Sequence, residues 1–243
     1  MKERPGDESE RVVKRKRLLF SVVIILLLSL LLSGCALGHS AWWKEEVLLH
    51  DGQTIIVDRS QKLGGYPTLD SHDRSVLEEK WDFPVPGTTK FVTWKIGQEL
   101  PPKGYSLSLL VVGFVRGAPY IATSPAGCIS YNYWGRPNPP YVFFKYDGKT
   151  WQRIKLEEFP TELTDSNVVV GNPDLQNRTG TVPIARIKGD NRYLEPHLKK
   201  IIREPLKSAQ SMDCEEMIYY KGWWISPDSF LKESIDKTTS ISK

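Results

Sequence analysis

Metal ligands and nucleophiles are few and scattered along this chain. Its histidines stand at His39, His50, His72 and His197, with no H-E-x-x-H and no close Cys/His grouping, so the spacing a zinc site needs is missing. There is no G-x-S-x-G, which removes the usual nucleophile elbow of a serine hydrolase. Cys128 with His72 or His197 could form a thiol nucleophile, because thiol peptidases gather such partners from distant parts of a sequence. Adjacent carboxylates occur at Glu78 and Glu79, Glu157 and Glu158, and Glu215 and Glu216. Neighbours in a strand point to opposite faces, so these pairs read as solvated charge rather than as an acid and a base acting together. No catalytic residue, metal site or cofactor is therefore assigned.

A second chemistry is adhesive. Tyr131, Tyr133, Trp134 and Arg136 fall within six residues, and Trp223 and Trp224 form another pair near the end. Aromatic rings beside a guanidinium can make a platform for a sugar ring or an anchor pocket for a protein. The plainer alternative is core and hairpin packing, and it is the stronger one for a sheet protein.

Strands and tight turns must position these residues. VLLHDGQTIIVD, between Glu46 and Asp58, sets Asp51 and Gly52 between two apolar runs, the pattern of a tight hairpin. Leu63 to Arg74 reads as a loop or irregular edge. Leu77–Phe83 and Lys90–Ile96 read as strands separated by Pro84, Pro86 and Gly87. Leu107 to Val115 is almost continuous Leu and Val, which suits a strand buried on both faces, and Arg116 and Gly117 turn it back into 118–123. Tyr141–Tyr146 and Lys149–Leu156 flank a second Asp-Gly turn at Asp147 and Gly148. Residues 157–192 are polar and turn-rich and read as a surface excursion with one or two short strands. Pro196 to Arg203 is the one helix candidate, and MIYYKGWWI, Met217 to Ile225, is a closing hairpin. Trp42 and Trp43 suit either lipid headgroups or the edge of the first strand.

The address of the chain is written at its front. Arg11, Lys14, Arg15, Lys16 and Arg17 form a basic segment, and Leu18 to Leu32 is a 15-residue run that is apolar apart from Ser21 and Ser29. That is short of the ~20 residues that cross a bilayer comfortably, so it fits a signal peptide better than an uncleaved span. Leu32, Ser33, Gly34 and Cys35 resemble the lipobox of bacterial lipoproteins. The resemblance implies cleavage before Cys35, a diacylglycerol on its thiol and acylation of the new amino terminus. Several acyl chains, at about 0.8 kcal/mol per buried CH2, hold a protein at a membrane stably. Ala36 follows Cys35 in place of the Asp linked to inner-membrane retention, so the resemblance points to the outer membrane, with the body facing the periplasm. CISYNYWGRPNPPYVFFKYDGKTWQRI, with VLLHDG and MIYYKGWW, also resembles a group of proteobacterial lipoproteins to which no activity attaches.

Export would place Cys128 and Cys214 in an oxidising compartment, where they are expected to pair as a disulfide, the alternative being two separate buried thiols. Of the 33 Lys and Arg, seven precede Cys35, leaving 26 basic against 25 acidic residues in the mature chain. That balance lacks the basic footprint of a nucleic-acid binder.

The sequence thus predicts a mainly β protein, antiparallel and hairpin-rich, a sandwich or bent sheet with one short helix. Its expected organisation is a removed signal over 1–34, a lipidated tether over 35–45, one β-rich domain over 46–230 and a flexible tail over 231–243. The expected role is non-catalytic: binding an envelope protein or peptidoglycan through the face bearing Tyr131 to Arg136. The alternative is an envelope hydrolase with an unrecognised site.

Overall fold

A computed structural model of the chain describes residues 39–64, 75–97, 106–171, 180–207 and 213–232. The signal segment, Cys35, His72 and most of the loop expected over 63–74 lie outside them, as does the tail beyond 232.

Side-chain alternation builds the first sheet. β1 (His39–Leu48) turns Trp43, Glu45 and Val47 inward, and β2 (Thr54–Gly64) does the same with Ile55, Val57, Arg59, Gln61 and Leu63. Leu48 and Thr54 flank the expected turn, where Gly52 takes φ +85° and the Gln53 amide donates to the Asp51 carboxylate at 3.0 Å. A residue with a Cβ is strained at that φ, which is why glycine follows the aspartate. β3 (Ser75–Pro84) and β4 (Phe91–Gly97) add antiparallel. The order is β4-β3-β2-β1-β9, and β9 (Thr181–Val182) joins β1 in parallel through Lys44 opposite Thr181 and Glu45 opposite Val182.

The second sheet runs β5-β6-β7-β8. β5 (Leu107–Val115) and β6 (Ala118–Pro125) pair around Arg116 and Gly117, both at positive φ. β7 (Val142–Tyr146) and β8 (Trp151–Ile154) pair around Asp147 and Gly148. There the Lys149 and Thr150 amides donate to Asp147 Oδ1 at 2.8 Å each and hold its carboxyl below the usual range.

Two cores follow from this layout. One lies between the sheets and combines Val57, Trp81, Phe83 and Trp94 with Leu109, Val112 and Ile121. The other lies on the far side of the second sheet, where Leu110, Val111, Tyr120 and Phe143 meet Phe159, Leu163 and Ile201. β5 is therefore apolar on both faces, as its unbroken Leu/Val run implied.

Residues 157–171 and 180–192 carry one short strand, β9, as expected, but they are not wholly the surface excursion their polarity suggested. Phe159, Leu163, Val168 and Val169 are buried, and burying a side chain of this size is worth roughly 1.5–3 kcal/mol. A sheet apolar on both faces needs a second cover, and this stretch supplies it. The helix content also exceeds the single helix expected. Pro196 does start one, α3 (Pro196–Lys199), but its turn stops where Asp165 pairs with Lys200. α1 (Cys128–Tyr133) and α2 (Ile184–Asn191) join it, and residues 227–232 form another helical turn. The tryptophan pair is split by strand alternation: Trp43 is core, whereas Trp42 is 60% exposed.

Candidate functional site

The aromatic residues singled out in the sequence lie on two elements held together by a covalent and polar clamp. α1 follows Gly127 and begins at Cys128, whose sulfur is bonded to Cys214 with Cα atoms 5.3 Å apart. Asn132 reinforces that link from the next turn: Nδ2 donates to Glu215 O at 3.0 Å, and Oδ1 accepts from the Met217 amide at 2.9 Å. Arg136, at φ +51°, donates to Cys214 O at 2.8 Å and to Glu215 O at 3.1 Å. Residues 214–217 are thus stitched to α1, and they lead directly into β10 (Ile218–Tyr220) and β11 (Trp223–Ile225), paired around Lys221 and Gly222.

The six candidate residues divide within this clamp. Tyr131 is buried, with the Arg136 guanidinium 5.0 Å over its ring, so neither is a free contact: one is core and the other is committed to backbone carbonyls. Trp134 is half-buried, set edge-on to Tyr133 and Phe144 at 5.2 and 5.9 Å. Trp224 is half-buried against Tyr219 at 5.3 Å. What faces solvent among the six is Tyr133 and, at 75% exposure, Trp223; Ile129 and Tyr219 are exposed too, but Tyr219 pairs with Trp224 and so lies on the hairpin face opposite Trp223. Ile129 and Tyr219 were missed because neither belongs to the Tyr131–Arg136 cluster or the Trp223–Trp224 pair.

The disulfide removes Cys128 as a thiol nucleophile. Burial holds the His197 imidazole below its usual value, with Glu195 opposing, and its carbonyl accepts from the Tyr141 hydroxyl at 2.6 Å. Burial also pushes that hydroxyl up to about 12, against an opposing hydrogen bond from the Ile202 amide. A cavity of about 590 Å3 lies elsewhere, with His50, Glu162, Lys188 and Lys199 around a floor that includes Leu163 and Ile187.

A second polar constellation sits inside the first sheet. Arg59 is 2% exposed and lies opposite Trp81 on β3, its guanidinium 4.1 Å over that ring and 4.8 Å from the Trp43 ring. Its Nε donates to Glu79 Oε1, Nη1 to Glu45 Oε1 at 3.1 Å and to Val169 O at 2.8 Å, and Nη2 to Gly171 O at 3.1 Å. Glu45, fully buried, also accepts from Trp43 Nε1 at 2.7 Å and the Val169 amide at 2.9 Å. The cluster pins 169–171 to the sheet. The sequence reading ended this strand at Asp58 and so missed it, although continuing the period of two from Ile55 and Val57 leads to Arg59 and Gln61.

No protein-family model, no curated protein and no solved structure matches this chain.

Proposed function

We propose that this is an envelope lipoprotein, anchored through Cys35 at the outer membrane, whose β domain is a non-catalytic module that binds an envelope protein or peptidoglycan. The observation that carries the binding role is the pair of solvent-facing rings Tyr133 and Trp223, on elements that a disulfide and four side-chain hydrogen bonds hold together. Large rings held in place lose little conformational entropy on contact, which is what an anchor residue needs. The clamp fits the proposed compartment, because disulfides persist where thiols are oxidised. Cys128 in that bond also weighs against the thiol-hydrolase alternative.

The address is tested by intact mass of protein purified from membranes without reductant. A chain of residues 35–243 plus acyl groups, lost in Cys35→Ala, is expected; retention of 1–34 without lipid would overturn it. The binding role is tested by recovering the full chain with isolated envelopes and peptidoglycan. Trp223→Ala should reduce recovery and Tyr193→Ala, an exposed ring outside the clamp, should not; equal recovery of both would refute the assigned surface.

A further inference from the structure

The buried charges of the first sheet border a cavity of about 370 Å3, within the size range of small-molecule sites. We infer that this cavity binds a small aliphatic amine, its ammonium group paired with Glu79. This goes beyond the anchor and the aromatic surface and depends on neither.

Three features of the cluster lead there. First, its charge does not balance: Glu45 and Glu79 face a single guanidinium, and the Glu79 carboxylate opens onto the cavity. A cation entering the cavity would meet the excess negative charge there. Second, the unused valence is on the carboxylate side. Four of the five N–H groups of Arg59 are spent on Glu79, Glu45, Val169 and Gly171. Glu79 is 7% exposed, and the bonds it accepts from Arg59 and from Gln61, the latter at 3.4 Å, fall on Oε1. Its Oε2 has no partner among the described residues, and Glu79 lines the cavity. Third, the wall also carries Val76, Leu77, Ile96 and Leu107, hydrocarbon that suits an aliphatic stem, beside Ser106 and Ser108. Glu78, also on the wall, is already paired with Lys95 at 2.7 Å.

An anion would meet Glu79 first, because the guanidinium is turned to its four acceptors. A neutral alcohol could hydrogen-bond to Oε2 but would leave the charge uncompensated. Hydrogen bonds between ionised partners are roughly twice as strong as neutral ones, so the ammonium gives the selectivity.

The test is titration of the full chain with pentylamine, 1-pentanol and pentanoate, followed by calorimetry and by tryptophan fluorescence, which reports on Trp81 beside Arg59. Saturable binding of pentylamine is expected, with pentanol and pentanoate weaker by about tenfold or more. Glu79→Gln keeps an oxygen for Arg59 Nε and removes the charge, so it should weaken pentylamine by a similar factor. Ala126→Leu, at an exposed residue of the cavity wall, should also weaken it while leaving the charge cluster intact, which covers the case of a Glu79→Gln chain that does not fold. Equal affinity for amine and alcohol, binding unchanged in both variants, or no saturable binding at millimolar pentylamine would each overturn the inference.

Discussion

Replacing Arg59 by Met is the sharpest perturbation of this fold. Methionine fills much of the arginine volume, so packing between Trp43 and Trp81 is largely kept while the charge is removed. Glu45 and Glu79 would then be buried without a counter-charge, and the carbonyls of Val169 and Gly171 would lose their donor. Breaking a buried ion pair by deleting one partner costs about 3–5 kcal/mol. At roughly 2–4 °C per kcal/mol for a domain of this size, the midpoint should fall by about 6–20 °C. Glu79→Gln alone should cost about 1–3 kcal/mol, from weakening a charge-assisted bond. The double variant should cost less than the sum of the two by at least ~1 kcal/mol, because the second change removes the charge that the first left stranded. Urea titration of the four proteins gives the cycle. An Arg59→Met cost below ~1 kcal/mol, or simple additivity, would refute the reasoning that these charges act as one unit.

Other outcomes follow from the same geometry. Cys128→Ser or Cys214→Ser opens a loop closed across 86 residues and should lower unfolding free energy by about 4–5 kcal/mol on the chain-entropy argument, read by urea titration. It should also release residues 214–225 to protease while the two main sheets stay resistant. Burial lowers the His197 pKa in the folded state, so the unfolded chain takes the proton more readily. The stability that depends on it is complete above pH 6.5 and is lost as pH falls through the folded value; His197→Gln should flatten that acid limb of the midpoint-against-pH curve. Tyr141 behaves in the opposite sense: with its hydroxyl pushed from 10.0 up to about 12, its contribution is complete below pH 10 and is lost as pH rises through 12. Tyr141→Phe should remove that alkaline dependence and cost about 1–3 kcal/mol at neutral pH by leaving the His197 carbonyl unpaired, as thermal unfolding would show.

Much of the sheet architecture was legible because it is local. Asp51-Gly52, Asp147-Gly148 and Lys221-Gly222 mark turns that need positive φ, and each does join two paired strands. The hydrophobic run of β5 announced a strand covered on both sides. What covers it was hidden, because Phe159 and Leu163 are isolated apolar residues in polar sequence, and only a long-range contact reveals their use. α1 was missed for a related reason: CISYNY has little helical periodicity, and its placement rests on the Cys214 bond and the Asn132 and Arg136 bonds to residues about 80 positions away. Arg59 and Glu45 were obscured by their type, since inward charge contradicts the expectation that alternation brings apolar residues to the core. For the six candidate residues, the sequence did not show which rings the clamp buries and which it leaves outside.

The central claim, that this clamp presents a docking surface in the envelope, is tested most directly by placing a photoreactive amino acid at position 223, and separately at 133, in the full chain in living cells. Tyr193, an exposed ring outside the clamp, is the control position. The account predicts a discrete adduct from 223 and 133, to one envelope protein or to peptidoglycan, and none from 193. Indistinguishable crosslinking from all three positions, or none from 223 and 133, would contradict it.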